Sequence, residues 1–552
     1  MTTAAIYQAR QALQRAHWAA SQFASYDRPS VLHIAEEVAA AAHARARHYA
    51  EWAVRETGFG VVEHKVIKNE ACSAGILDRY RDEDLISPRI DSAGKIVSLP
   101  TPAGVILALT PSTNPVCSVY FKVLLAMLTR NAIVISPHPM ARECCADAAK
   151  LLADAATAAG APDGVIQVIE APTVPLIEAL MSDSATNVIV ATGGTAVVRA
   201  AHKSGNPALG VGPGNVPVLV DATADLASAA RYIAESKSFD NSVLCTNESV
   251  LIVVQSAADQ LIREFRQQQA VLLDDAARDK LRAYLFPDGR LNGEAIGRDA
   301  VWIADQAGLR VPPRTRVLLA PIDMVVAEEA FAREKLCPVL AVARAETAER
   351  GIEAARAVVR LGGPGHSAAI HSTDENVIMQ YAARVPVLRV AVNVGNSAGS
   401  AGLSTNLAPS MTLGTGFVGR SSIGENLEPR HLVNWTRVAY NAAPAVPFGD
   451  FADVAVWRRP EGAVPGYPRA SNLDGPPLTQ PGVSRQGTGP HANGTVSEGA
   501  GPDGTYAVSR YASSTVADSG DGDGLSSAAR TAGVREQLRA LIIEELAQLI
   551  GR

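Results

Sequence analysis

The chain has 552 residues, of which 47% are apolar and 19% charged, with a formal net charge of −6. That length exceeds one simple core and predicts two folded domains with appendages. The acidic balance argues against a general nucleic-acid binder, and the lack of an apolar run of about 18 residues argues against a membrane span.

Residues 1 to about 80 read as long helices, with no secretory apolar region at the start, and the Ala-rich stretch 34–56 reads as one helix stopped at Thr57-Gly58. From about residue 96 short apolar runs alternate with helical spacing. Strands are predicted at 105–109, 132–135, 165–169, 187–190 and 216–220, and helices at 116–129, 142–159, 176–181 and 196–203. This alternation predicts βαβ units and a parallel sheet. A second α/β stretch covers about 222–417, with strands at 249–254, 317–319, 339–342 and 367–370. After Trp457 large aliphatic residues become scarce, and Gly, Pro, Ser, Thr and Asp dominate to about residue 533, the composition of a disordered linker. Residues 534–552 then carry Val534, Leu538, Leu541, Ile542, Leu546, Leu549 and Ile550 on one helical stripe.

Six cysteines, Cys72, Cys117, Cys144, Cys145, Cys245 and Cys337, lack Cys-x-x-Cys spacing. They read as free thiols in a reducing cytosol, with neither disulfides nor a metal site expected. Cys245 lies in SFDNSVLCTNE (238–248), between a helical stretch and an apolar strand. A thiolate held there is a nucleophile for carbonyl carbon; a small buried hydrophobe is the other reading. Asn114, in TPSTNP (110–115), stands between a strand and a helix, where its amide can donate to an oxyanion or simply form a turn. The Gly-Gly turn of ATGGT (191–195) opens a helix whose N-terminus suits phosphate, although it is not the full dinucleotide fingerprint.

In this order, TPSTNP (110–115), SPHP (136–139), ATGGT (191–195), GVGPGN (210–215) and NSVLCTNE (241–248), followed by EKLCPVL (334–340) and GGPGHS (362–367), resemble the aldehyde dehydrogenase superfamily, within it the CoA-acylating members. The resemblance covers about residues 1–450. It implies an α/β fold with a Rossmann-variant cofactor domain over 1–221, including the N-terminal helices, and an α/β catalytic domain over 222–417. Residues 418–457 would return to the cofactor domain and serve oligomerisation, with a linker at 458–533 and a terminal amphipathic helix at 534–552.

The resemblance implies Cys245 as nucleophile and Asn114 as oxyanion donor. His366 is matched to a histidine near the CoA sulfur, and a satisfied core histidine is the alternative. Thr110, Pro111, Ser112, His138, Pro139, Thr192, Gly193, Gly194, Gly212 and Glu334 fall to NAD, with NADP left open because His138 and Pro139 stand where hydrolytic members carry a Lys. Hydrolytic members also carry a Glu that activates water, and GVGPGN has no carboxylate there. Transfer of the acyl group to CoA is therefore expected, against a hydrolytic enzyme, a glutamyl-phosphate-type reductase or a non-catalytic scaffold. The tail resembles encapsulation peptides of bacterial microcompartment cargo; a self-association helix is the other reading. A homodimer or homotetramer inside a cytoplasmic microcompartment is expected, acting on a short-chain aldehyde, with a shell protein bound through 534–552.

Overall fold

The computed structural model describes residues 3–451, 454–458, 462 and 466–468. The expected linker, apart from those few positions, and the expected helix at 534–552 lie outside the described residues.

The first eighty residues form five helices: α1 (Thr3–Phe23), α2 (Arg28–Ala44), α3 (Ala46–Thr57), α4 (Val62–Ala71) and α5 (Ala74–Tyr80). The single helix expected over 34–56 is in fact broken at Arg45, whose φ of −110° and ψ of 9° leave the helical region. Its N–H bonds back to Ala42, which ends α2 and lets α3 set off in a new direction. Alanine spacing cannot reveal that break, because either segment alone satisfies it.

Strands β1 (Arg89–Asp91) and β2 (Ile96–Pro102) follow, then the alternation β3 (Val105–Leu109), α6 (Pro115–Leu128), β4 (Ala132–Ser136), α7 (Arg142–Ala158), β5 (Ile166–Val168), α8 (Val174–Ser182), β6 (Val188–Thr192), α9 (Thr195–Lys203) and β7 (Ala208–Val211). Strands β3 to β7 form a parallel sheet of order β5-β4-β3-β6-β7. The apolar runs of β3, β4 and β6 are buried on both faces, as a helix-covered parallel sheet requires, while the edge strands β5 and β7 are partly exposed. Strand β7 runs into GVGPGN, whose first two residues are the last two of the strand.

The second sheet is built from β8 (Val216–Val220), α10 (Leu226–Ser238), β9 (Glu248–Val254), α11 (Gln255–Gln267), β10 (Ala270–Leu272), α12 (Asp275–Leu285), α13 (Ala300–Gln306), β11 (Val317–Pro321), β12 (Val339–Ala345), α14 (Ala348–Leu361), β13 (Ala368–His371), α15 (Glu375–Arg384), β14 (Val390–Val392) and α16 (Asn396–Ser400). Its parallel order is β10-β11-β12-β9-β8-β13-β14. Alternate residues of β8 and β9 feed two cores: Val218, Leu251 and Val253 pack with α10 and α11, and Leu219, Val250 and Ile252 with α14. Last, β15 (Val433–Ala439) pairs antiparallel with β2, joining a late segment to an early one in a three-stranded sheet with β1. No described helix is long and apolar enough to cross a membrane.

Candidate active site

Four loops meet because the strands they precede are neighbours. GVGPGN leads into β8, Cys245 into β9, Glu334 into β12 and His366 into β13, and these strands adjoin in the order β12-β9-β8-β13. A parallel sheet aligns its amino ends, so these residues converge at one edge.

The turn before Cys245 is strained. Asp240, Asn241 and Ser242 have φ of 50°, 50° and 69°, a left-handed region that costs each non-glycine residue roughly 1 kcal/mol or more. Side chains over-determine it. The Asp240 carboxylate accepts from Val61 N–H at 2.7 Å, from Lys65 Nζ at 3.1 Å and from Lys68 Nζ. Asn247 donates through Nδ2 to Ser242 O at 2.9 Å and Leu244 O at 2.5 Å, while its Oδ1 accepts from Ser242 Oγ at 2.7 Å and Lys237 Nζ at 2.5 Å. Cys245 is thereby held half-buried, unlike the other five cysteines, which are buried.

His366, fully buried, places Nε2 3.3 Å from Cys245 Sγ and Nδ1 3.0 Å from Ser367 Oγ. Asn396 Nδ2 donates to that same Ser367 oxygen at 3.0 Å. Ser367 Oγ thus accepts from Asn396 and meets Nδ1; where its own proton goes to Nδ1, the neutral ring carries a proton on Nε2, toward sulfur. Burial and the nearby Arg389 guanidinium hold His366 down to about 3, so it stays neutral. Burial, then the Glu334 carboxylate, push the Cys245 thiol up to about 12; its own backbone N–H and Arg389 pull the other way. The resting pair is a thiol beside a neutral imidazole. Arg389 also braces the histidine turn, donating to His366 O at 2.7 Å, Gly424 O at 3.0 Å and Asn426 Oδ1 at 2.5 Å.

The glycine loop lies directly on the cysteine. A Cβ on Gly214 would fall 2.0 Å from Cys245 O and 3.4 Å from His366 Cε1, so only glycine fits. Gly214 N–H donates to Glu334 Oε1 at 3.1 Å, and burial raises that carboxyl to about 8. Gly212, the loop glycine singled out in the sequence, borders open space, with nothing within 4 Å of an added Cβ. The steric demand belongs to Gly214.

Asn114 stands at the N-cap position of α6 without a side-chain capping bond and is buried. Its Oδ1 accepts from Lys68 Nζ at 2.7 Å, and Nδ2 approaches Thr113 Oγ1 at 3.3 Å. It reaches the cysteine turn through Lys68 and Asp240.

The remaining sequence-predicted residues gather at the carboxyl edge of the five-stranded sheet. There the order reverses between β3 and β6, the place where open α/β sheets bind nucleotides. Thr110, directly after β3, and Ser136, the last residue of β4, each bury a hydroxyl oxygen with no protein partner. Pro111 is half-buried and Ser112 buried. Thr192 ends β6 against Thr412 Oγ1 at 2.9 Å, Gly193 follows, and Gly194 begins α9 with no side-chain cap. Orphaned hydroxyls and an uncapped helix start fit a phosphate-bearing dinucleotide. His138 Nδ1 accepts from Met140 N–H at 3.2 Å, and burial lowers the ring to about 4, so it offers no positive charge; Pro139 is exposed.

Residues 1–280 match the model of the aldehyde dehydrogenase family. The chain belongs to the aldehyde dehydrogenase family. Over 437 residues it is 38% identical to the bifunctional aldehyde-alcohol dehydrogenase AdhE of Escherichia coli (strain K12), a match covering 78% of this chain and 49% of that protein. The chain thus spans about half the length of the first curated relatives it matches. An acetylating aldehyde dehydrogenase from Geobacillus thermoglucosidasius is 37% identical, with a TM-score of 0.78 over 80% of this chain and 98% of that one. A propionaldehyde dehydrogenase from the fucose-utilisation microcompartment of Clostridium phytofermentans is 26% identical, with a TM-score of 0.73 over 80% of this chain and 98% of that one.

Several side chains of this aldehyde dehydrogenase site carry no local signal. Lys65 and Lys68 look like solvated helix charges and Asn396 like an ordinary turn residue, while Ser367 closes GGPGHS without being singled out. The three-residue spacing of the two lysines, which puts both on one helix face, is the trace that was legible. Among the described residues Glu425, Glu428 and His431 could group round a metal ion, but Arg430 pairs with both carboxylates.

Proposed function

We propose that this chain is a CoA-acylating aldehyde dehydrogenase, converting a short-chain aldehyde, NAD(P)+ and CoA to acyl-CoA. The observation that carries the reading is the group set against Cys245. It is a neutral imidazole beneath a glycine loop, in the segment where hydrolytic members carry a water-activating Glu.

Residues Thr110, Pro111, Ser112, His138, Pro139, Thr192, Gly193, Gly194, Gly212 and Glu334 would hold the dinucleotide, with NAD or NADP left to measurement. The dinucleotide, when bound, supplies the hydride acceptor. Cys245 Sγ adds to the aldehyde carbon, and the proton leaving sulfur ends on the carbonyl oxygen. Asn114 Nδ2 and the Cys245 N–H stabilise the charge developing on that oxygen, each donor worth about 10²–10³ in kcat. Loss of this thiohemiacetal carbon's hydride to the acceptor and of the hydroxyl proton to solvent would leave a thioester on Sγ. The CoA thiolate then bonds to the acyl carbon and the bond to Cys245 breaks; His366 Nε2 in its N–H form would hydrogen-bond the departing sulfur, which takes up from solvent the proton that CoA released. A general base contributes about 10²–10⁴-fold, so water, without one, competes poorly with a thiolate. Product analysis with acetaldehyde, propanal and butanal tests the reading: acyl-CoA supports it, and free acid formed equally with or without CoA overturns it.

The proposal extends to packaging in a cytoplasmic bacterial microcompartment as a homodimer or homotetramer, with residues 534–552 binding a shell protein. The apolar stripe of that segment and its long polar linker support it, as does the likeness to a microcompartment enzyme. A linker of about 75 residues reaches roughly 50 Å, which suits tethering to a surface. A reporter carrying only 530–552 should be drawn into shells; a reporter that stays diffuse contradicts this.

A further inference from the structure

Lys68, on α4, is 1% exposed and stands outside every motif the sequence offers. Its Nζ donates to Asn114 Oδ1 at 2.7 Å and to the Asp240 carboxylate. One turn earlier, Lys65 Nζ donates to the same carboxylate at 3.1 Å and to Thr113 O at 3.2 Å. Both ammonium groups are buried, and the carboxylate they share belongs to the strained turn that carries Cys245.

An ammonium has hydrogens to give and no lone pair to offer. The Asn114 atom facing Lys68 is therefore the oxygen, and the NH₂ group is turned away from it. That NH₂ makes one long contact, 3.3 Å to Thr113 Oγ1, which leaves a hydrogen for another acceptor. A cation on the amide oxygen also draws electron density from the nitrogen, and in a dry interior that makes its N–H a stronger donor.

We infer that Lys68 is a positioning residue that orients and polarises the Asn114 amide, so that Nδ2 donates to the oxygen of the aldehyde bonded to Cys245. Through Asp240 the same ammonium ties the donor amide to the turn of the nucleophile. The inference rests on the reading of Asn114 as an oxyanion donor.

The test is a double-mutant cycle on the full chain, read in the burst of NADH from a single turnover without CoA. A pairwise term appears only where two residues act through each other. Lys68→Met should slow the burst about 10- to 100-fold, within what one oxyanion donor is worth. Lys68→Gln, whose amide can still donate to Asn114 Oδ1, should recover part of the loss. In an Asn114→Ala background, Lys68→Met should change the burst less than about twofold. Equal losses in both backgrounds would make Lys68 a packing residue and overturn this inference alone. A wild-type burst in Asn114→Ala would overturn it together with the reading it rests on. Thermal unfolding and dinucleotide binding of each variant separate misfolding from lost chemistry; should Lys68→Met not fold, Lys68→Gln carries the cycle, and equal losses in both backgrounds overturn the inference there too.

Discussion

His366 Nε2 faces Cys245 Sγ at 3.3 Å on a ring whose other nitrogen is held by Ser367. The ring is buried and neutral, so it meets the sulfur as a hydrogen-bonding imidazole and not as half of an ion pair. His366→Ala should slow the CoA-dependent phase about 100-fold and leave the first burst of NADH at stoichiometric amplitude. Ser367→Ala should cost about tenfold, the size of one hydrogen bond that fixes a tautomer, with Ser367→Thr recovering it. Imidazole nitrogen chemical shifts report the tautomer directly. An unchanged Nε2–H signature in Ser367→Ala would remove Ser367 from this role.

The pH dependence of Cys245 alkylation follows from the same pair. Burial raises the thiol to about 12, so below that value the thiolate fraction, and the rate with iodoacetamide, should climb about tenfold per pH unit between about pH 6 and 9. His366, lowered to about 3, contributes no limb in this window. Cys245→Ala removes the reaction and identifies the thiol. An imidazolium–thiolate pair would instead give a rate flat through neutrality.

Two glycines of one loop should behave differently. Gly214→Ala forces a methyl to 2.0 Å from Cys245 O, so the loop must move off the cysteine. A loss of kcat of about 100-fold is expected, as misplacement by about 1 Å produces. Gly212→Ala meets nothing within 4 Å and should keep its thermal midpoint, with any loss confined to dinucleotide affinity. Steady-state kinetics with unfolding curves for both variants check this.

The strands were legible because each is a short run of large apolar residues, and a parallel sheet covered on both faces buries all of them. Val105–Leu109 and Val216–Val220 stand where that pattern puts them. Cys245, Asn114, His366 and the Gly-Gly turn could be singled out from ordered motifs. Lys68 could not, because its partner Asp240 lies 172 positions away and a lone lysine in a helix looks solvated. Asn396 is equally silent, and Ser367, though it ends GGPGHS, shows its role only when β13 and the start of α16 bring the two together. Gly212 reads as a dinucleotide residue, and the contact of Gly214 with the cysteine shows only once the loop is laid on it.

The absence of a carboxylate base in the glycine loop is the centre of the account, and the dependence of turnover on CoA tests it most directly. The enzyme mixed with propanal and NAD+ but no CoA should release one NADH per Cys245 and then stall as thioester accumulates. Adding CoA should restore steady turnover and yield propionyl-CoA. A steady rate without CoA, equal to that with it and ending in propionate, would contradict the account.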